Sequence, residues 1–202
     1  RGYDQVQQDI ARMNQPVVIG IDRAGIVGDD GETHQGIYDI AFLQHIPNLV
    51  IMVPHDSKES NDLLYTAFEL NKPVAIRYSR SKVEYNEATP KKIKLGTWEI
   101  LEEGKDATLI TYGDFIENAL EIREKLKQDK IDISIVNARF IKPFDKSMFN
   151  EILSTNKPIF IYEEVSSIGS LGERLCTYAQ NNNYKANIKC YAIDDKFIEQ
   201  GN

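Results

Sequence analysis

The stretch "PVVIGIDRAGIVGDDGETHQG" (residues 16–36) decides how this chain is read. Its opening, "PVVIGID" (16–22), is a short, β-branched and nearly unbroken apolar run. Unbroken rather than alternating hydrophobicity suits a parallel strand buried on both faces. An amphipathic run, "IYDIAFLQHI" (37–46), lies on the far side. Between them, Gly25, Gly28, Gly31 and Gly36 are interleaved with acids, Arg23 and His34. The connection is far longer than the roughly 2–6 residues that strand-to-helix joints usually take. A strand, a long polar glycine-rich loop and a helix are therefore expected in that order.

The same alternation continues outward. "NLVIMVP" (48–54) and "KPVAIRY" (72–78) read as further buried parallel strands. The clearest helix lies between them, in "HDSKESNDLLYTAFELN" (55–71), where Asp56 and Glu59 have the spacing of a capping box. Residues 81–93, "SKVEYNEATPKKI", lose all periodicity and read as a linker, centred on 84–93. Beyond it the pattern restarts. Strand runs "GTWEILEEG", "DATLITYG", "DISIVNAR", "PIFIYEE" and "IKCYAI" follow, interleaved from the second onward with helices "IENALEIREKLKQD", "KSMFNEILSTN" and "GSLGERLCTYAQNN". The expected fold class is α/β, with two doubly wound three-layer domains over residues 1–83 and 94–202.

Composition narrows the function classes. A formal net charge of −7 argues against nucleic acid as the main partner, which requires cations for phosphates, but leaves room for a local basic pocket. No apolar run approaches the roughly 20 residues of a membrane helix, and no signal-peptide pattern opens the chain. Cys176 and Cys190 each sit in an apolar segment without metal-ligand spacing, which reads as two buried thiols in a reducing compartment. The chain starts at Arg1 with helical spacing at Tyr3, Val6, Ile10 and Met13 and no capping residue ahead, so it is expected to be part of something longer.

Ligands of parallel α/β sheets bind beyond the carboxyl ends of the strands. Arg23 leaves one such end and Arg80, in "IRYSR", leaves another, so both could converge on one anion. His34 is the residue type suited to proton transfer near neutral pH. On residue chemistry alone a solvated surface loop stays open, as does a salt bridge from Arg80 to Glu84. His45 and His55 read as structural. Glu163 and Glu164, before the glycine-rich "SSIGSLGERL", read as a packing turn rather than an anion site.

Taken together, "DRAGIVGDDGETHQG", "RGYDQV", "LVIMVPHD", "IRYSR", "ARFIKPFD" and "FIEQG" resemble, in order, landmarks of the 1-deoxy-D-xylulose-5-phosphate synthase family, transketolase relatives that use thiamin diphosphate. The resemblance spans essentially the whole chain. It implies the C-terminal portion of a pyrimidine-binding domain (1–83) followed by a transketolase C-terminal domain (94–202). The implied reaction joins pyruvate and D-glyceraldehyde 3-phosphate to 1-deoxy-D-xylulose 5-phosphate with loss of carbon dioxide. Its product feeds isoprenoid synthesis by the non-mevalonate route, and thiamin synthesis. By position, the resemblance makes Arg23 and Arg80 binders of the aldehyde phosphate and Arg1 a substrate-binding arginine near the same region. It sets His34 facing the reacting carbons, and Asp30 orienting substrate hydroxyls or a neighbouring arginine. Thiamin diphosphate and Mg²⁺ are expected to be held upstream, with no cofactor or metal ligand in this segment, which alone should be inactive. A homodimer in a bacterial cytoplasm, or a plastid-type organelle, is the implied setting, without nucleic acid or membrane partners. One departure stands out: the family usually has RYPRG where this chain has Ser79 and Ser81 around Arg80. Transketolase itself, moving two-carbon ketol units between sugar phosphates, is the alternative enzyme. A non-catalytic module binding a phosphorylated metabolite is the alternative of a different class.

Overall fold

The computed structural model describes residues 2–82, 84 and 87–201. Arg1, Asn202, and Val83, Tyr85 and Asn86 around the expected linker lie outside the described residues. A helical turn, α1 (Tyr3–Gln5), runs directly into a π-helical stretch, Val6–Ala11. Then follow β1 (Val18–Ile21), α2 (Asp39–Leu43), β2 (Val50–Met52), α3 (Ser57–Glu69) and β3 (Val74–Arg77). The three strands are parallel, in the spatial order β1-β3-β2. All residues of β2 and β3 are buried, which is why their sequence runs are continuously apolar. α3 starts where the capping pattern places it: the Asp56 carboxylate accepts the Glu59 N–H at 2.6 Å. In turn, Glu59 accepts the N–H of His55.

The second half contains β4 (Glu99–Glu102), β5 (Ala107–Thr111), α4 (Phe115–Gln128), β6 (Ile133–Asn137) and β7 (Phe140–Lys142). It continues with α5 (Lys146–Ser154), β8 (Ile159–Ser166), α6 (Leu171–Asn181) and β9 (Ile188–Ile193). Its sheet runs β4-β6-β5-β8-β9, parallel except for β4, which pairs antiparallel with β6. Because β6 and β8 lie on either side of β5, the right-handed crossovers that leave β5 and return past it use opposite faces. The gap between β5 and β8 is therefore the topological switch point of this sheet.

One element was not separable in the sequence. The run "DISIVNARFIK" reads as one strand and its flank, but it divides between two sheets. β6 ends at Asn137, and after Ala138 and Arg139 the chain enters β7, which pairs antiparallel with β2 of the first sheet. Ile51 faces Lys142 and Met52 faces Phe140, and the Val53 N–H donates to the Arg139 carbonyl. Buried Met52, Leu63, Phe140, Phe149 and Leu175 consequently belong to one continuous apolar core that crosses from one sheet to the other. A smaller core, with Leu109, Ala119 and Ile135, lies under α4. Part of the expected linker is anchored as well, since the N–H groups of Lys91 and Ile93 donate to Asp62 and Thr66 of α3.

The cysteines correct the sequence reading. Cys176 is half-buried and Cys190 is exposed; both are free, with sulfurs 3.6 Å apart. Their segments are apolar, but β9 is an edge strand, so its residues are covered from one side only.

Polar groups also close the seam between the halves. Glu59, only 5% exposed, accepts from Asn137 Nδ2 at 2.9 Å and pairs with His55 at 2.6 Å and Arg139 at 3.4 Å. Burial disfavours protonated His55, but the hydrogen bond and charge of Glu59 outweigh it and raise the imidazole above its ordinary value of 6.5. Burial likewise disfavours ionised Glu59, yet the bond and charge of His55 carry its pKa below the usual carboxylate range.

Two outcomes follow for stability. Truncating Phe140 to Ala removes a fully buried ring at the sheet-to-sheet crossing, and should cost about 3–5 kcal/mol. A urea titration of the intact polypeptide reads this; a loss under about 1 kcal/mol would mean that β7 does not tie the sheets together. The Glu59–His55 pair has a defined window. Glu59, lowered in the fold, contributes stability above its ordinary 4.5 that is lost as pH falls. His55, raised in the fold, contributes stability present below 6.5 that is lost as pH rises through the folded value. The destabilisation by Glu59→Gln should thus be largest near about pH 5–6.5 and smaller at about pH 8.5. Urea midpoints of both proteins across that range would reveal a flat difference if the pair were not ionic.

Candidate active site

The long loop after β1 is closed by its own backbone. Gly25 and Gly36 exchange both N–H···O bonds at 2.9 Å, and the Ala24 N–H donates to the Tyr78 carbonyl beyond β3. Two glycines are required here by close approach. A Cβ at Gly36 would lie 1.9 Å from the Arg23 carbonyl oxygen, and one at Gly25, whose φ is +83°, would lie 2.0 Å from a Glu164 oxygen. The Gln35 side chain braces the interior of the loop, accepting from and donating to the backbone of Val27. Arg77, at the end of β3, pairs with buried Asp39 at 2.7 Å and donates to the Gly36 carbonyl. The loop is thus held at its neck while its tip projects beyond the strand ends.

Three of the residues singled out in the sequence meet on this loop. Arg23 Nη1 lies 2.7 Å and Arg80 Nη1 4.0 Å from the same oxygen of Asp30. Asp30 is 8% exposed, whereas the two arginine side chains are 43% and 55% exposed. The ion pair of Arg80 thus goes to Asp30, and its guanidinium retains open donors. The second Asp30 oxygen is buried without a hydrogen-bond partner. One cation hydrogen-bonded to a buried carboxylate and a second at ion-pair distance from it, both with exposed N–H groups, form a platform for an oxyanion of a ligand. His34 sits farther along the loop, on a turn closed by its N–H to the Gly31 carbonyl, and its exposed imidazole bonds to the Thr33 hydroxyl. Arg1 lies outside the described residues.

The second domain contributes side chains that the sequence reading left aside, all at the carboxyl ends of β5 and β8. Asp114 accepts from the hydroxyls of both Ser79 and Ser81, which flank Arg80. Glu164 accepts the Ile26 N–H of the glycine-rich loop at 2.9 Å. Burial raises its pKa against that hydrogen bond. Neighbouring Glu163 points the other way, accepting from Tyr112 Oη and from the N–H groups of Leu171 and Gly172 at the start of α6. Burial raises Glu163 as well, against these donors. The glycine-rich entry to α6 is therefore filled by a carboxylate of its own domain. Between the domains a cavity of about 510 Å³ remains, bordered by Ile26, Gly28, Arg80, Asp114, Asn118 and Glu164. The signal for Asp114 and Glu164 was positional: Asp114 follows β5 and Glu164 lies near the carboxyl end of β8, at the switch point, where such sheets place ligand-facing groups. Of the other histidines, His45 bonds the Tyr3 hydroxyl and His55 belongs to the domain seam. Among the described residues no group of three or more His, Cys, Asp or Glu is placed to hold a metal ion. These side chains do not by themselves fit a Mg²⁺ site.

Known proteins with related sequence and structure place the chain in a family. Residues 1–86 match the transketolase pyrimidine-binding domain, and residues 96–202, more than half of the chain, match the transketolase C-terminal domain. Proteins named 1-deoxy-D-xylulose-5-phosphate synthase from Geobacillus sp. (strain WCH70) and Bacillus mycoides (strain KBAB4) are each 47% identical over 100% of this chain. The chain spans about a third, 32%, of the length of those relatives. Among solved structures, a split-gene transketolase described as an inactive β4 tetramer superposes with a TM-score of 0.87 at 27% identity, over 98% of this chain and 64% of that one. The transketolase H261F mutant from Pichia stipitis gives a TM-score of 0.71 at 20% identity over 95% of this chain and 27% of its own, a likeness of fold. With both domain types matched in order over the two sheets described above, this chain belongs to the transketolase family.

Proposed function

We propose that this chain is part of an enzyme that condenses pyruvate with D-glyceraldehyde 3-phosphate, releasing carbon dioxide and forming 1-deoxy-D-xylulose 5-phosphate. The observation that carries the reading is the convergence of Arg23 and Arg80 on Asp30 in a rigidly closed loop. It is joined by 47% identity to proteins bearing that synthase name. In this reading the exposed N–H groups of Arg23 and Arg80 bind the phosphate of the acceptor aldehyde, with Arg1 adding a further cation. Asp30 fixes the Arg23 guanidinium, and its charge keeps both arginines from drifting apart. His34, beyond them on the same loop, faces the substrate oxygens and donates to or takes a proton from them as their charge changes. Thiamin diphosphate, when bound with Mg²⁺, supplies the electron sink for decarboxylation and carbon–carbon bond formation. The ligands for both come from the part of the protein that corresponds to the remaining length of the relatives. An apolar cavity of about 650 Å³ on the β1 side, lined by Val18, Leu64, Phe68, Ile76 and Tyr78, offers that part a surface to pack against. A homodimer working in a bacterial cytoplasm, at the entry to non-mevalonate isoprenoid and thiamin synthesis, completes the reading.

The deciding assay supplies the intact polypeptide with pyruvate, thiamin diphosphate and Mg²⁺, and follows carbon dioxide with and without D-glyceraldehyde 3-phosphate. Release accelerated by the aldehyde, with a five-carbon deoxyketose phosphate formed, is expected. Ketol transfer from a ketose phosphate without pyruvate turnover would make the protein a transketolase, and inactivity in both assays would leave a phosphate-binding module. Arg23→Ala and Arg80→Ala should each lower kcat/KM for the phosphorylated aldehyde by about 10–100-fold, the loss of one charge-assisted contact. Neither should change kcat/KM for unphosphorylated glyceraldehyde by more than about twofold. His34→Ala should instead lower kcat, by about 100-fold, with either aldehyde; an unchanged kcat would remove it from the chemistry.

A further inference from the structure

An aspartate at the start of a helix normally turns its carboxylate onto the N–H groups of its own first turn. Asp114 stands at that position before α4 and makes no such bond. Both of its oxygens are directed instead to the other domain: Oδ1 accepts from Ser79 Oγ at 2.8 Å and Oδ2 from Ser81 Oγ. Ser79 and Ser81 immediately flank Arg80, and the Ser81 N–H also donates to the Ser79 hydroxyl at 3.2 Å. A helix cap is forgone and a three-residue loop is fixed at two points. The loop's only ionic side chain between those points is Arg80, whose guanidinium lies 4.0 Å from Asp30, and Arg80 and Asp114 both border the 510 Å³ cavity.

We propose that Asp114 is a positioning residue for the phosphate end of the acceptor: through Ser79 and Ser81 it holds the Arg80 loop in place from the C-terminal domain. This rests on the reading of Arg80 as a phosphate ligand. The physical reason is entropic as well as geometric. Arg80 is 55% exposed, and an unrestrained arginine in an exposed loop would have to be ordered at the moment of binding. The clamp orders the loop backbone beforehand. Serine is suited to the task because each hydroxyl donates to one carboxylate oxygen, and the two together satisfy both. The placement carries an electrostatic cost, since the Asp114 carboxylate borders the same cavity as the anion. That cost gives the clamp a sign by which it can be tested. If Asp114 acted only through its charge, removing it would strengthen phosphate binding; acting as a clamp, its removal weakens binding.

The test compares Asp114→Ala, the double variant Ser79→Ala/Ser81→Ala and the combination of all three, in the intact polypeptide. Each should raise KM for D-glyceraldehyde 3-phosphate by about 5–10-fold with kcat within about twofold of the parent. KM for unphosphorylated glyceraldehyde should not move. The triple variant should be no worse than either of the others, because all three remove one unit. A lower KM in Asp114→Ala, or additive effects, would overturn the proposal. Amide hydrogen exchange gives a readout that does not need turnover: residues 79–82 should exchange faster in both the Asp114 and the double-serine variants. Unchanged exchange there overturns the clamp, whatever the kinetics show. If exchange rises while the parent enzyme itself shows no aldehyde-dependent carbon dioxide release, the clamp stands and the synthase reading falls.

Discussion

The arrangement of this molecule depends on one short exchange of partners, the passage of the chain from one sheet to another at Ala138 and Arg139. β6 is hydrogen-bonded within the second sheet as far as Asn137, and by Phe140 the backbone is bonded to β2 in the first. With so few residues between two ladders, the sheets cannot separate or rotate without breaking main-chain bonds, each of which would leave a polar group in an apolar core. The buried side chains at this crossing, Phe140 and Met52, belong to the larger core, which runs from one sheet to the other. The Glu59, His55, Asn137 and Arg139 group lies beside it and supplies the same constraint in polar form.

That fixed crossing brings the functional parts into register. The carboxyl ends of β5 and β8, the switch point of the second sheet, face the loops that follow β1 and β3 in the first. Successive residues of a strand point to opposite faces, and Glu163 and Glu164 use this directly. Glu163 holds the start of α6 in its own domain, while Glu164 reaches the Ile26 N–H in the other. The crevice in which a doubly wound sheet ordinarily receives a ligand is thus partly occupied by the neighbouring domain's loop. The C-terminal domain acts here as a set of fixed acceptors that shape the loops.

Much of the architecture was legible in the sequence because it rests on local patterns. Continuous apolar runs marked the buried parallel strands, Asp56 and Glu59 marked the start of α3, and the length of the loop after β1 marked it as more than a connection. β7 was not legible, because hydrophobicity records that "FIK" is buried and says nothing about which sheet buries it. The antiparallel direction of β4 was hidden for the same reason. Cys190 misled through its apolar neighbours, since the edge strand β9 is covered on one side only. At the site, Arg23 and Arg80 could be paired by their places at strand ends. The acceptance of both serines by Asp114 could not be read, because sequence spacing carries no information about contacts formed between two domains.

The charges of the site pull against one another, and this bears on how it would bind. Asp30 lies beside both Arg23 and Arg80, while Asp114 and Glu164 border the same cavity as Arg80. Asp30 also leaves one oxygen buried and unpaired, a situation that costs on the order of 1–3 kcal/mol. An arrangement optimised for stability alone would satisfy that oxygen or remove it. Without the carboxylate, however, two guanidinium groups would repel each other and splay into solvent, where each gains hydration and neither is aimed. A buried carboxylate beneath them holds both in one place while leaving their outer N–H groups free. An arriving dianion then meets donors already oriented, and the acids around it limit how tightly it is held. Attraction and repulsion are thus built into the same place, and an anion there is held only by the difference between them.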